Sequence, residues 1–144
     1  MKRLPALALF ATVAAGCGGE FPLIRYVIEH AETDTVTDVG ASGDSVGDIL
    51  TFANKLFDED NLTQVGTDNG FCLRTVAGEA WECLWTVSLA DGQITVEGPF
   101  YDKMDSVLAI TGGTGFYRGA RGQMAMHARD PAGTEYDLRY EILR

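Results

Sequence analysis

Residues 110–123 read ITGGTGFYRGARGQ, and five of these fourteen residues are glycine. The apolar run VLAI, residues 107–110, leads into the stretch, and the half-apolar run QMAM, residues 123–126, follows it. A glycine cluster between two strand-like segments indicates a sharp corner or a bulge, where the backbone needs positive φ or close approach. This pattern predicts a small closed β-barrel with residues 110–123 at one of its corners.

Elsewhere the chain alternates apolar and polar residues with the period of two that is typical of strands. One face of residues 81–89, for example, carries Trp81, Cys83, Trp85, Val87 and Leu89. Turn signals rich in Gly, Asp and Pro divide the chain into eight expected strands, at residues 22–30, 47–54, 63–76, 79–89, 92–101, 105–111, 120–129 and 134–143. A polar loop is expected over residues 31–45. Short strands with hairpin-length connections predict an all-β fold, an eight-stranded antiparallel β-barrel.

The amino terminus has the layout of an export signal. A basic start precedes an apolar run, residues 4–15, which is too short to span a bilayer. Small residues before Cys17 match a bacterial lipobox, so we expect residues 1–16 to be a lipoprotein-type signal peptide and Cys17 to be the lipidated first residue of the mature protein. Residues 17–21 are then a tether and residues 22–144 the barrel domain. Plain secretion is the alternative, and membrane contact is expected only through a lipid anchor at Cys17.

The two remaining cysteines predict a disulfide. A two-residue turn at residues 77–78 pairs Val76 with Glu79, and counting back from it pairs Arg74 with Trp81 and Cys72 with Cys83. Directly opposite residues on antiparallel strands lie close together. In an exported protein, such a pair of cysteines indicates a disulfide.

Charge and motif content exclude several classes of function. The chain carries 21 acidic and 11 basic residues, a net charge of −10, so it repels phosphate backbones and nucleic-acid binding is not expected. Its two histidines lack the spacing of a metal site, so no metal is expected. The glycine stretch has no following Lys-Ser or Lys-Thr and is not a phosphate-binding loop. No cofactor is expected.

Several motifs carry a family resemblance. Residues 47–58, GDILTFANKLFD, resemble the second-strand motif of plant allene oxide cyclases, and so do GPFY at residues 98–101 and DSVLAITGG at residues 105–113. The glycine stretch, with its element Ala120-Arg121-Gly122, also resembles plant dirigent proteins. Both families share an eight-stranded antiparallel barrel, and the resemblance covers about residues 26–143. It implies that the fold is of the allene oxide cyclase and dirigent type.

The resemblance also implies a site. Allene oxide cyclases hold an apolar epoxide in the barrel, with a glutamate of the first strand near the developing positive charge and a water held by asparagines. Glu29 matches that glutamate, Asn54 matches one asparagine and Cys72 matches a cavity cysteine, whereas Ala31 stands at the other asparagine position. Glu29 and Asn54 are therefore the candidate catalytic residues.

Further candidates follow from the residues themselves. A glutamate inside a barrel must either bind an arginine or have a raised pKa. Arg74 shares a face with Cys72 and is one possible partner; Arg121 is another, and it matches the arginine of the dirigent element. With Trp85, these two arginines are the candidate ligand-binding residues. The alternative is purely structural: Glu29 pairs with Arg74 or Arg121, Asn54 caps a backbone group, and Arg121 bonds turn carbonyls.

Two classes of function remain. In the first, the chain is an exported, cofactor-free cyclase or isomerase that acts on a small apolar ligand inside the barrel. In the second, it is a non-catalytic envelope lipoprotein that binds an apolar ligand or a partner. Both ligand-binding interpretations require a cavity beside Glu29. Because the plant relatives are trimers, a homotrimer or another homo-oligomer formed through outward-facing residues such as Leu73 and Leu84 fits either class.

Overall fold

The computed structural model of the chain describes residues 21–144, which form nine β-strands. The strands are β1 (Leu23–His30), β2 (Thr35–Thr37), β3 (Ile49–Phe57), β4 (Gln64–Val76), β5 (Ala80–Leu89), β6 (Gly92–Tyr101), β7 (Ser106–Gly115), β8 (Arg121–Ala128) and β9 (Glu135–Leu143). The eight predicted strands are all present. The predicted signal peptide, the lipidation of Cys17 and most of the predicted tether lie outside the described residues.

No helix within residues 21–144 is long and apolar enough to cross a membrane.

Eight of the strands close into an antiparallel barrel. Each of β3 to β8 pairs with the next strand along the chain, and β9 pairs with β1. The ring closes where β1 pairs with β3, with Ile28 opposite Phe57 and His30 opposite Lys55. The predicted all-β, eight-stranded antiparallel barrel is thus confirmed. We call the end of the barrel at His30, Tyr101 and Ala128 the mouth and the opposite end the closed end.

The ninth strand corrects the expectation of an unbroken loop over residues 31–45. β2 pairs with the first residues of β3, with Thr35 opposite Thr51 and Thr37 opposite Ile49. β3 therefore has β1 beside its second half and β2 beside its first half. Residues 31–34 lie between these two pairings and bring Asp34 to the mouth of the barrel.

The glycine stretch differs in detail from the predicted corner. β7 continues through Gly112 and Gly113 to Gly115, so these glycines lie within a strand. The shift of register between Thr95 and Val96 marks a bulge in the β6–β7 pairing, as a glycine cluster permits. The chain reverses after it, between Gly115 and Arg121, where Gly115 has φ of 59°. The glycines of β7 still pair with β6, with Gly112 opposite Thr95 and Gly115 opposite Gly92. The turn therefore comes after them.

This turn closes one end of the barrel with Tyr117, whose side chain is fully buried in the core. The Tyr117 hydroxyl accepts a hydrogen bond from Arg25 Nε at 3.0 Å and donates one to Asp91 Oδ2 at 3.2 Å. Arg25 also forms an ion pair with Asp91. The polar end of the tyrosine is therefore satisfied at the rim, while its ring fills the interior.

The β4–β5 hairpin confirms the predicted disulfide. Cys72 lies opposite Cys83 with their Cα atoms 4.0 Å apart, the two sulfurs are bonded, and Arg74 lies opposite Trp81 as predicted. The Glu79 N–H donates to the Val76 carbonyl oxygen at 3.1 Å, as the predicted turn requires, but in the ladder Val76 pairs with Ala80, because a bulge between Arg74 and Val76 shifts the register next to the turn.

Side chains fill most of the barrel. Fully buried apolar residues come from most of the barrel strands, and they include Leu56, Val87, Ile94, Val96, Leu108, Met124, Leu138 and Ile142. On the outer surface, Leu73 and Leu84 are 45% and 38% exposed, as their predicted outward direction requires. Self-association through these residues stays a prediction.

Candidate functional site

Glu29 lies near the mouth, on the interior face of β1, and only 5% of its surface is exposed. It lines a small pocket of about 20 Å³. The other lining residues are one acid, four aromatic residues, the disulfide and two aliphatic side chains: Asp34, Phe52, Trp85, Phe100, Tyr136, Cys72, Cys83, Leu50 and Met126. A space of this size holds about one water molecule.

A wider groove lies directly outside this pocket. It has a volume of about 640 Å³ and runs between the β6–β7 turn, residues 100–106, and the β8–β9 turn, residues 126–136. Phe100, Met126 and Tyr136 line both spaces. Phe100 and Tyr136 pack edge to face, with ring centroids 6.0 Å apart, where the two spaces adjoin. The pocket therefore forms the floor of a groove large enough for a small molecule.

Asn54 on β3 holds the acidic end of the pocket together. Its Nδ2 donates hydrogen bonds of 2.7 Å to Glu29 Oε1 and to Asp34 Oδ1. Its Oδ1 accepts from the backbone N–H of Thr33 at 3.0 Å and from the Thr33 hydroxyl at 2.8 Å. One buried amide thus binds two carboxyl groups and fixes the backbone of residues 31–34. The backbone contact matches the structural alternative for Asn54, and the carboxyl contacts go beyond it.

Asp68 lies behind this group, opposite Asn54 in the β3–β4 pairing. Its side chain is fully buried, and neither carboxyl oxygen has a hydrogen-bond partner. The backbone N–H groups of Asn54 and Asp68 act on this carboxyl group and lower its pKa, but their effect is smaller than that of burial. The buried Trp85 indole N–H acts on the buried Tyr140 hydroxyl, but neither group completes a well-formed hydrogen bond. Unpartnered buried polar atoms are rare in native proteins and mark this part of the interior as unusual.

Burial shifts both interior carboxyl groups toward the protonated form. Loss of solvent raises the pKa of Glu29 to about 7, opposed by the hydrogen bond from Asn54 and assisted by the charge of Asp34. Loss of solvent, together with the charge of Glu29, raises the pKa of Asp68 to about 9. Glu29 can therefore exchange a proton near neutral pH, which is the property that a general acid or base requires.

The two predicted arginines lie away from this group. Arg74 is buried, but its guanidinium binds Asp44 at 2.6 Å and Asp102 at 2.8 Å and lies 4.0 Å from the centre of the Trp81 ring. A pairing of Arg74 with Glu29 is therefore wrong, because two carboxylates already neutralise the arginine. Arg121 is exposed at the start of β8, at the closed end, so it cannot reach Glu29 either.

The structure thus brings together Glu29, Asn54 and Trp85 from the predicted set, with the Cys72–Cys83 disulfide in the wall. It adds Asp34 and Asp68, which sequence reasoning missed. Counting back in twos from the inward-facing Cys72 places Asp68 on the interior face, so a signal for it was present. Asp34 had no such signal, because residues 31–34 belong to no strand. Alternation with a period of two therefore does not predict where its side chain lies.

Within residues 21–144, no three His, Cys, Asp or Glu side chains are arranged to hold a metal ion. The chemistry that the described residues themselves can perform is proton transfer by Glu29 and electrostatic stabilisation of positive charge by the carboxyl groups.

Solved structures share this architecture. A structure described as a pyocyanin demethylase is similar with a TM-score of 0.71 and 25% identity, over 84% of this chain and 100% of that one. A pterocarpan synthase dirigent protein has a TM-score of 0.68 at 16% identity, over 83% and 92% of the two chains. An exo-specific intermolecular Diels-Alderase has a TM-score of 0.66 at 17% identity, over 83% and 96%. The last two show the fold alone.

The family assignment rests on a match of the sequence itself. The model of the family described as allene oxide cyclase matches residues 26–129, which include Glu29, Asn54, Asp68 and the disulfide. With the closed barrel and the motifs that first indicated it, this match shows that the chain belongs to the allene oxide cyclase family.

Proposed function

We propose that the chain binds a small, mainly apolar molecule in the groove at the mouth and catalyses a cyclisation or isomerisation without a cofactor. In this proposal Glu29 transfers the proton or stabilises the developing positive charge. Asn54 is a positioning residue, since it holds Glu29 and Asp34 in place. The groove binds the body of the molecule, and the pocket receives the part that reacts.

One observation carries the proposal: Glu29 is a buried carboxyl group in a small pocket that shares the Phe100 and Tyr136 rings with a groove of about 640 Å³, and burial raises its pKa to about 7. A carboxyl group that served only the fold would be expected to bind a cation. Among residues 21–144, Glu29 has no ion pair, and its one hydrogen-bond partner is Asn54.

The second candidate is a binding protein without catalysis. The interior is filled apart from about 20 Å³ beside Glu29, so the expected ligand inside the barrel, which both classes of function required, does not fit there. A ligand must then lie almost wholly in the groove and reach the carboxyl group only if the Phe100 and Tyr136 rings move apart. Both side chains are partly exposed at the mouth, where movement is least restricted.

Comparison of two glutamate variants tests the proposal. The purified chain, Glu29→Gln and Glu32→Gln are incubated with extract of the source cells and with pyocyanin, and retained and altered molecules are identified by mass spectrometry. Glu32 is the matched control, since it is exposed three residues away. We expect the chain and Glu32→Gln to retain and convert the same molecule, and Glu29→Gln to retain it unchanged. Conversion by Glu29→Gln at the normal rate contradicts the proposal, and retention without conversion by every variant favours the binding protein.

We further propose that the protein works outside the cytoplasm, anchored by a lipid at Cys17. The signal-like pattern of residues 1–17 supports this location. The test is the mass of the mature amino terminus in the membrane fraction, compared with Cys17→Ser. Recovery of an unmodified amino terminus in the medium would favour plain secretion.

A further inference from the structure

Tyr136 is the residue opposite Glu29 in the β1–β9 pairing, and both side chains line the pocket. The Tyr136 ring also lines the groove, where it packs edge to face against Phe100. Directly opposite residues on antiparallel strands have Cβ atoms about 5 Å apart, so the tyrosine and the glutamate border the same small space.

The hydroxyl group of Tyr136 lies at the groove. A Cβ atom added to Gly133 would lie 2.5 Å from this oxygen, so the hydroxyl group is beside the β8–β9 turn that forms one wall of the groove. Within residues 21–144, it forms no hydrogen bond with a side chain or with the backbone. Burial, assisted by the charges of Glu29 and Asp34, raises the pKa of Tyr136 to about 12. The phenol therefore stays protonated at neutral pH and can donate to a ligand.

The other donors beside the pocket are already engaged. The Asn54 amide donates to two carboxyl groups, and the Trp85 indole N–H acts on the Tyr140 hydroxyl. Among the described residues that line the pocket, none is basic, and its carboxyl groups repel an anion. A hydroxyl donor in this setting suits a neutral acceptor oxygen, such as that of a carbonyl group.

The size of the pocket limits which part of a ligand reaches Glu29. Its volume of about 20 Å³ holds one group of the size of a water molecule or a methylene group. A methylene group next to a carbonyl group meets this limit. Its hydrogens are acidic, because the carbonyl oxygen takes up the negative charge that forms when one of them leaves, and a hydrogen-bond donor at that oxygen stabilises the charge.

We propose that Tyr136 is a second catalytic residue and that the substrate is an apolar ketone. The tyrosine donates a hydrogen bond to the carbonyl oxygen while the Glu29 carboxylate removes a proton from the adjacent carbon. The electron pair of the broken C–H bond forms a carbon–carbon double bond, and a pair of the C=O bond moves to the oxygen. The protonated Glu29 then returns its proton to the same or another carbon of the ligand, so no oxidant or reductant is needed. This inference rests on the proposed cofactor-free isomerisation and names its substrate class.

Hydrogen exchange tests proton removal with a defined probe. The probe is 2-tetralone, a compact apolar ketone, incubated with the chain in heavy water at pH 7.5, and NMR follows the loss of the hydrogens next to the carbonyl group. We expect the unchanged chain to accelerate this loss above the rate in buffer, and Glu29→Gln not to do so. Tyr136→Phe should slow the exchange at least ten-fold, because it removes the donor to the developing oxyanion.

Tyr26→Phe is the matched control. Burial, together with Asp137, also raises the pKa of Tyr26 to about 12, but this tyrosine lies opposite the exposed Arg139, on the face of β1 that points away from the pocket. Its loss should leave the exchange at the rate of the unchanged chain.

Binding separates the hydrogen bond from a purely structural role. Trp fluorescence measures the affinity for 2-tetralone and for tetralin, which has the same rings without the oxygen. Tyr136→Phe should weaken 2-tetralone about five-fold and leave tetralin unchanged. Gly133→Ala places a methyl group against the Tyr136 hydroxyl and should also weaken the ketone selectively, so it remains decisive if Tyr136→Phe does not fold.

The outcomes separate this inference from the function on which it rests. Exchange by Tyr136→Phe at the rate of the unchanged chain, or an equal loss of affinity for 2-tetralone and tetralin, overturns the role of the hydroxyl group. Absence of exchange in the unchanged chain overturns the ketone as the substrate class. Neither result removes the proposed function, which fails separately if Glu29→Gln converts the molecule retained from cell extract at the normal rate.

Discussion

Asn54 and Asp68 lie directly opposite each other on β3 and β4, both inside the barrel, yet no hydrogen bond joins their side chains. The amide of Asn54 is fully used by Thr33, Glu29 and Asp34. Asp68 is therefore left as a buried carboxyl group without a donor. Burial, assisted by the charge of Glu29 and not offset by a side-chain donor, raises the pKa of Asp68 above that of an aspartate in the unfolded chain.

The stability of the protein should fall with rising pH because of Asp68. Folding raises the pKa of this carboxyl group to about 9, so the folded state keeps a proton that the unfolded state loses near pH 4. The contribution of Asp68 is therefore fully present below about pH 4 and is lost as the pH rises toward 9. Asp68→Asn mimics the protonated form and does not titrate. Its unfolding free energy minus that of the unchanged chain should therefore increase by roughly 2–4 kcal/mol as the pH rises from 5 to 8.

Urea unfolding of the unchanged chain and of Asp68→Asn, at pH 5 and at pH 8, measures this difference in unfolding free energy. Glu29, Asp34 and Tyr140 also face this carboxyl group electrostatically, so Glu29→Gln is measured in parallel to separate their contributions. A pH-independent difference between Asp68→Asn and the unchanged chain would show that Asp68 is ionised in the folded state.

Loss of the Asn54 amide should loosen residues 31–37. Asn54→Ala removes the hydrogen bonds to Thr33, Glu29 and Asp34, and we expect it to lower the unfolding free energy by about 2–3 kcal/mol. Hydrogen exchange at the Thr33 amide should accelerate strongly. Asn69→Ala, an exposed substitution on β4, is the control and should change neither quantity. Unchanged exchange at Thr33 in Asn54→Ala is the contrary result.

The disulfide should contribute to stability and not only line the pocket. It closes a short loop, since its cysteines are 11 residues apart, and the double substitution Cys72→Ala with Cys83→Ala should cost about 2–3 kcal/mol. Urea unfolding measures the loss. Peptide mapping after alkylation without reductant should find both cysteines blocked in the unchanged chain; free thiols at both positions would contradict the bond.

Two glycines offer a matched pair of substitutions. Gly70 lies opposite Phe52 on one side and Trp85 on the other, and an added Cβ would overlap the Trp85 Cβ and the Leu84 carbonyl oxygen. Gly70→Ala should therefore lower the melting temperature by about 5 °C or more and disturb Trp fluorescence. At Gly112 nothing lies within 4 Å of an added Cβ, so Gly112→Ala should leave the melting temperature and the Trp fluorescence nearly unchanged. Equal melting temperatures for the two variants would refute the packing role of Gly70.

Much of the fold could be read from local patterns. The period of two located the eight barrel strands to within a few residues, and the spacing of Cys72 and Cys83 predicted the register of one hairpin. Errors occurred where the backbone departs from a regular ladder. The bulge beside Val76, the strand at residues 35–37 and the course of β7 through Gly112 depend on neighbouring strands that the local sequence does not describe.

The sequence by itself determined the barrel and its disulfide, because alternation and turn spacing are properties of contiguous residues, and the resemblance to allene oxide cyclases implied the interior placement of Glu29 and Asn54. Only the tertiary structure decided which charges meet. Arg74 was free to pair with Glu29 until the fold placed Asp44 and Asp102 against it, and the same folding placed Asp34 and Asp68 beside Glu29. Electrostatic energies depend on distance and burial between residues far apart in the chain, so the acidic pocket exists only once the barrel has closed.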